Sequence, residues 1–328
     1  MLSVRNISRS FGTRRVVDDV SFDVGRGRLT GFVGGNGAGK TTTMRMILGV
    51  LRPDSGTITL DGAPVGQDAL RGFGYMPEER GLYPKMEIAE QLAYLARLHG
   101  IDKVTAMQRT DDLLERLGLI ERRRDKLESL SLGNQQRVQV AAALVHDPDV
   151  LIMDEPFSGL DPMAVDEVVT VIAEHAARGV PVLFSSHQLE VVERLCDDLV
   201  IIADGKVRAA GEREALREQY SEARWSLETS TDVGWVRNVP GVDVEELAGT
   251  TVLFGAEPDA ADLVLRAAVE RGTVSSFRPI RPSLGEIFRD IVGNAPANDA
   301  NANANANANA NASENEKQTE KQKGAAVR

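Results

Sequence analysis

The chain has 328 residues, and its 38 Lys and Arg against 49 Asp and Glu leave a net charge of −11. That acidity excludes broad polyanion binding, which draws its affinity from Lys and Arg displacing counterions, but leaves room for a small nucleotide held by backbone N–H groups. At roughly 150 residues per domain, the length points to two domains, or one large domain with an appendage. No run approaches the roughly 18 consecutive apolar residues of a membrane-spanning helix, and residues 1–15 hold no apolar run of signal-peptide length. Any work at a membrane is therefore expected to go through another chain. Cys196 is the lone cysteine, so no intramolecular disulfide forms, which fits a reducing compartment.

In chain order, residues 1–25 alternate apolar and polar positions, as a half-exposed antiparallel sheet would. Residues 29–33 (LTGFV) are apolar nearly throughout and read as a strand covered on both faces. A glycine-rich stretch and a helical run, TTTMRMILGV, follow. GTITLD at 56–61 returns to the antiparallel pattern. From about 86 to 128 the spacing turns helical: Ile88, Leu92 and Leu95 repeat before Gly100, and Val104, Met107, Leu114 and Leu117 before Gly118. Buried strands are expected again at 150–153, 180–184 and 199–202. Residues 1–215 thus read as an α/β domain with a mostly parallel sheet and a helical insert. Residues 222–292 start a second pattern: strands at RWSLETS, VDVEEL, TVLFGA and TVSSFRP, a helix over 259–271 and a capped helix over 283–292. This is a small α+β domain with Trp225 and Trp235 in its core. Residues 295–328, with six Asn-Ala pairs over 301–312, offer almost nothing apolar to offset ordering entropy, so disorder is expected. Their charges cancel, so the whole −11 belongs to residues 1–294.

Chemistry concentrates in two places. Gly34-Gly35-Asn36-Gly37-Ala38-Gly39-Lys40-Thr41 fits G-x-x-x-x-G-K-[ST] and lies between an apolar strand and a helix. The glycines let N–H groups cradle phosphates at the helix N-terminus, Thr42 extending the cradle. Lys40 would reach the β- and γ-phosphates, and the Thr41 hydroxyl would bind Mg2+. The second place is the end of the strand Val150-Leu151-Ile152-Met153, followed by Asp154 and Glu155. Asp154 is expected to hold Mg2+ and Glu155 to polarise an attacking water as general base.

The order of five elements resembles the ATP-binding cassette of ABC transporters over about residues 1–215. These are the P-loop, Leu130-Ser131-Leu132-Gly133-Asn134-Gln135-Gln136, VLIMDEP, Ser158-Gly159-Leu160-Asp161 and Ser185-Ser186-His187. The resemblance implies a P-loop NTPase (RecA-like) α/β fold with an antiparallel β subdomain and a helical subdomain at about 86–140, plus the small C-terminal α+β domain. It implies that Ser131, Gly133 and Asn134 cap the ATP bound by another subunit. It further implies that Asp161 lies in the loop that crosses the dimer interface, that His187 is the switch histidine near the γ-phosphate, and that Phe11 stacks on adenine. Two departures stand out. Glu78 occupies the place of a Gln that contacts Mg2+ and the membrane partner, and LSLGN replaces LSGGQ. Both, with the C-terminal domain, resemble cassettes that serve separate small multispan exporters.

The chain is accordingly expected to be an ATPase using ATP and Mg2+, with Glu155, His187 and Lys40 catalytic. Two copies, or one copy and a related cassette, would close head to tail around two nucleotides. They would drive an integral membrane permease, contacted around residues 78–90, from the cytoplasmic face of the membrane, with no role for nucleic acid. A soluble cassette acting on nucleic acid or ribosomes, and a non-hydrolysing nucleotide switch, are the alternatives. The first usually needs fused cassettes or coiled-coil inserts. The second conflicts with the retained Glu155 and His187. Cys196 reads as a buried small side chain and Arg122–Arg124 as a solvated charge run.

Overall fold

The computed structural model describes residues 1–79, 81–220 and 223–293; the low-complexity stretch at 295–328 lies outside the described residues. Residues Met1–Phe288 form one compact unit. Within it, β1 (Leu2–Phe11) and β2 (Arg14–Val24) form a hairpin and lead to β3 (Leu29–Val33), which runs into α1 (Lys40–Ile47). Next come β4 (Ser55–Leu60), β5 (Ala63–Pro64), the short α2 (Gln67–Leu70) and β6 (Phe73–Met76). The helical insert holds α3 (Ile88–Leu98), α4 (Lys103–Arg116) and α5 (Leu132–Leu144). The chain then alternates through β7 (Val150–Asp154), α6 (Pro162–Ala177), β8 (Val182–Ser186), α7 (Leu189–Leu195), β9 (Asp198–Ala203), β10 (Lys206–Glu212) and α8 (Arg213–Gln219). The C-terminal part adds β11 (Arg224–Thr229), β12 (Val242–Ala248), β13 (Thr251–Ala256), α9 (Pro258–Arg271), β14 (Val274–Ile280) and α10 (Leu284–Gly293).

Three sheets result. The first is antiparallel, in the order β2-β1-β4-β5. Its expected alternation breaks at Asn6, which has φ +51° and sits where the β1–β2 register shifts between Val4 and Ile7. The second sheet runs β10-β9-β3-β8-β7-β6; β9, β3, β8, β7 and β6 are parallel to their neighbours and β10 is an antiparallel edge. One apolar core spans the two sheets and α1, with Leu2, Ile7, Phe32, Met44, Ile152 and Ile202 all buried. The third sheet, β12-β13-β11-β14, packs α9 through Val264 and Ala268 onto Leu227 and Phe254. Trp225 and Trp235, expected within that core, instead pack against it half-buried.

Several expected boundaries shift for local reasons. The strand expected at 180–184 is β8, Val182–Ser186. Pro181 has no N–H for the ladder, although its carbonyl accepts from Leu151 N at 3.0 Å, and pairing runs on through Ser186. The strand expected at 150–153 likewise takes in Asp154, whose Cα partner is Ser185. In α4, Val104 is 67% exposed rather than core-facing, because it belongs to the first turn, capped by Asp102. The capped helix expected at 283 is present: Glu286 Oε2 accepts from Ser283 N at 2.8 Å while Glu286 N donates to Ser283 Oγ at 3.2 Å, a reciprocal capping box. The same end of α10 touches α7, since Leu284 N donates to Glu193 Oε2 at 3.3 Å and Arg217 of α8 ion-pairs with Glu193. Cys196 is buried, which pushes its thiol pKa up and leaves it protonated.

Beyond the C-terminus of α5, His146 stacks on His99 with ring centroids 3.8 Å apart. Its Nε2 contacts the Phe73 carbonyl at 3.2 Å and its Nδ1 is buried without a partner. Burial first, and the neighbouring His99 second, push its pKa down from 6.5 to about 4. The folded state thus resists a proton that the unfolded chain takes up below pH 6.5. Stability should be unaffected by this group above pH 6.5, fall as pH drops toward 4, and level off below. Thermal melts of a His146→Phe chain should lose part of that acid-side decline; an unchanged profile would contradict the assignment.

Candidate nucleotide-binding site

The carboxyl ends of parallel strands leave a crevice where α/β proteins bind ligands. Here the turn from β3 to α1, the end of β7 and the loop after β6 meet around a cleft of about 310 Å3. It is lined by residues 35–42 with Val16, Glu78, Asp154 and Glu155. The glycine turn has its shape for steric reasons. Gly39, the N-cap of α1, has φ +106°, and a Cβ there would stand 2.9 Å from the Val16 carbonyl oxygen. At Gly34 a Cβ would stand 2.5 Å from the Ile202 carbonyl oxygen. Only glycine lets the turn settle against β2 and β9 in this way. Lys40 Nζ donates to the carbonyls of Gly34 at 2.6 Å and Gly35 at 3.2 Å, which holds the ammonium over the turn.

Asp154 is 1% exposed. Thr41 Oγ1 donates to its Oδ2 at 2.7 Å, and Ser185 Oγ donates to its Oδ1. The same Ser185 oxygen accepts from Glu155 N at 2.9 Å. Glu155 adopts φ +54°, an uncommon conformation for a residue with a long side chain. It is held on three sides: Ser185 bonds its N–H, Gln136 Nε2 donates to its carbonyl at 2.9 Å, and His187 Nδ1 lies 2.8 Å from its Oε2. With Glu155 as carboxylate, which can only accept, Nδ1 is the donor of that bond. The side chain of Glu155 is 12% exposed and that of His187 59%, so the base candidate is sheltered and its partner faces solvent.

The lining side chains carry one cation, Lys40, against three carboxylates, Glu78, Asp154 and Glu155, or 1 − 3 = −2. A polyphosphate entering such a cleft needs a cation for balance. Among the described residues no cluster of three His, Cys, Asp or Glu side chains could hold a metal alone. Mg2+ typically takes one or two carboxylates plus substrate phosphates, and the buried Asp154 carboxylate with its Thr41 hydroxyl fits that donor set.

The other expected residues sit elsewhere. Ser131 caps α5, its Oγ accepting from Asn134 N at 3.3 Å, and Gly133 lies in the first turn close to the Gly159 carbonyl. Asp161 caps α6 by accepting from Ala164 N at 2.9 Å. None of these four lines the cleft, and neither does Gly34, whose carbonyl bonds Lys40. Phe11, 50% exposed at the end of β1, has the Arg9 guanidinium 5.2 Å from its centroid and does not line the cleft. Sequence reading missed Val16, Ser185 as the holder of Asp154 and Glu155, and the buried Gln136 and Gln139. The two serines that close the apolar run of β8 were the available signal for Ser185.

The chain matches the ABC transporter family over residues 17–158, and over residues 211–292 the family described as "ATP-binding protein DrrA1-3-like, C-terminal domain". It is 37% identical over 294 residues to the uncharacterized ABC transporter ATP-binding protein YhaQ of Bacillus subtilis (strain 168), covering 89% of this chain and 99% of that one. Identity to the Nod factor export ATP-binding protein I of Ralstonia nicotianae is 34% over 301 residues, covering 89% and 94%. A solved structure described as the ATP binding subunit of an ABC transporter aligns at TM-score 0.63 with 34% identity, over 67% of this chain and 93% of the other.

The geometry makes Ser185 a test position. A Ser185→Ala chain leaves a buried carboxylate oxygen and the Glu155 N–H without their partner. Denaturant melts should register a loss of about 2–4 kcal/mol, and hydrolysis should fall with it. A loss below about 0.5 kcal/mol, within the range of inconsequential surface substitutions, would contradict the bonding described.

Proposed function

We propose, since this chain belongs to the family of ABC transporter ATP-binding subunits and is an ATPase of that family, that it is the nucleotide-hydrolysing component of an exporter. In this reading residues 1–215 are the cassette and residues 222–292 an accessory domain. Two cassettes close head to tail around two ATP–Mg2+, and the dimer powers a separate integral membrane permease from the cytoplasmic side. The observation that carries the reading is the division of the expected site residues into two groups. Residues 35–42, Glu78, Asp154 and Glu155 share the cleft, whereas Ser131, Gly133, Asn134 and Asp161 stand at the N-termini of α5 and α6 and do not line it. A second chain can bring both groups to one nucleotide. The free N–H groups and positive end of α5, in a first turn with no acidic residue, suit a γ-phosphate. Among the described residues no helix is long and apolar enough to cross a membrane, and this reading assigns the crossing to a separate permease. Export is supported by the likeness to the Nod factor export protein.

Each residue then has a task. The P-loop N–H groups and Lys40 hold the β- and γ-phosphates, and Thr41 with Asp154 would hold Mg2+. The metal supplies charge neutralisation on the phosphate oxygens. Glu78 faces the same cleft from the loop after β6. Glu155 accepts the proton of the attacking water as its oxygen bonds the γ-phosphorus and ADP departs, while His187 fixes the Glu155 carboxylate at 2.8 Å. In this reading the exposed ring of Phe11 would serve as the adenine platform.

Replacing Glu155 by Gln keeps the size of the side chain but removes the proton acceptor. Loss of a general base costs about 10²–10⁴ in rate, while the P-loop, Lys40, Thr41 and Asp154 still bind ATP. Size-exclusion chromatography with Mg–ATP should therefore shift Glu155→Gln from monomer to dimer. A Gly133→Asp chain, with a carboxylate set toward the γ-phosphate, should bind ATP and stay monomeric. Undiminished hydrolysis by Glu155→Gln would overturn the base assignment, and dimer formation by Gly133→Asp the composite site.

A further inference from the structure

Two amides on the buried face of α5 take no part in the cleft. Gln136 is 4% exposed and Gln139 3%, and a buried amide is costly unless bonded. Gln136 Nε2 donates to the carbonyls of Glu155 at 2.9 Å and Pro156 at 3.2 Å. Gln139 Nε2 donates to those of Pro77 at 2.5 Å and Glu79 at 3.3 Å. Pro77 and Glu79 flank Glu78. Residues three apart share one helix face, so a single face of α5 grips the turn that carries Glu155 and the loop that carries Glu78. One turn earlier, the same helix begins at Ser131.

We propose that Gln136 and Gln139 are positioning residues that couple the two nucleotide sites of the dimer. The proposal rests on the composite-site reading above. In that arrangement the first turn of α5 caps the nucleotide held by the partner chain, while its second and third turns hold the Glu155 turn and Glu78 loop of the chain's own site. A helix moves as a rigid rod of about 1.5 Å per residue. Seating its N-terminus on the partner's γ-phosphate therefore sets the main chain of Glu155 and Glu78 through these two amides. Filling one site readies the other for hydrolysis, by a rigid element that both sites bias. The Glu155 turn is the responsive part because its φ of +54° makes it dependent on the bonds around it.

The test uses full-length Gln136→Met and Gln139→Met chains, which keep side-chain length and remove the donor. Three readouts are taken: Mg–ADP affinity by calorimetry, kcat, and the Hill coefficient for ATP. The unmutated chain is expected to hydrolyse ATP cooperatively. Each variant should bind Mg–ADP as the unmutated chain does, because α5 does not line the cleft. Each should lose about tenfold in kcat, the worth of one such bond, and its Hill coefficient should drop toward one. A purely structural role would lower the melting temperature and leave the cooperativity intact, and that outcome overturns the proposal. So does a non-cooperative unmutated chain, even where Glu155→Gln still traps a dimer and the ATPase reading stands. Gln136 and Gln139 are tested separately, so the folding failure of one variant leaves the other decisive; failure of both to fold marks the amides as structural and overturns the coupling. If Glu155→Gln traps no dimer, the composite-site reading itself fails and takes this proposal with it.

Discussion

Burying the Asp154 carboxylate at the end of β7 costs several kcal/mol unless donors surround it, and here the donors come from two other elements. Thr41 belongs to α1 and Ser185 to β8, so satisfying one charge fixes the glycine turn and two parallel strands relative to one another. The parallel register that pairs Asp154 with Ser185 is what brings the hydroxyl within reach. Ser185 then spends its oxygen on the Glu155 N–H, and the backbone turns sharply at a residue with positive φ. The base candidate thus inherits its position from the burial of its neighbour.

Further constraints radiate from that turn. His187 holds the Glu155 side chain and is followed by α7, which is tied through Glu193 to Arg217 and to the N-terminus of α10. On the other side α5 grips the Glu155 carbonyl and the carbonyls flanking Glu78. Segments far apart in sequence, at 77–79, 131–139, 154–155, 185–187 and 193, are therefore linked by direct hydrogen bonds or by one rigid helix.

The glycine turn was legible in the sequence because its chemistry is local: eight consecutive residues set the φ values, the helix start and the lysine. The Asp154-Glu155 pair was legible because two acids ending an apolar strand have few structural explanations. The doubly covered strands and the capped start of the last helix at Ser283 were equally readable, for they rest on nearest-neighbour spacing. The part of Ser185 was not, since it depends on which strands are adjacent and in what register, and β8 begins two residues later than its apolar run suggests. Gln136 and Gln139 escaped because a glutamine on a helix looks like surface until the opposing loops are in place. Val16 escaped because it lies in the first hairpin, on a different element from the turn that it walls.

Asp154 and Thr41 as the holders of Mg2+ can be tested without turnover. A non-hydrolysable ATP analogue is titrated calorimetrically into the unmutated chain and into Asp154→Asn, with Mg2+ and with a chelator. The account predicts that Mg2+ tightens binding by at least about tenfold, or about 1.4 kcal/mol, in the unmutated chain. In Asp154→Asn most of that gain should vanish while chelator-condition affinity is retained. An equal Mg2+ gain in both chains would contradict it.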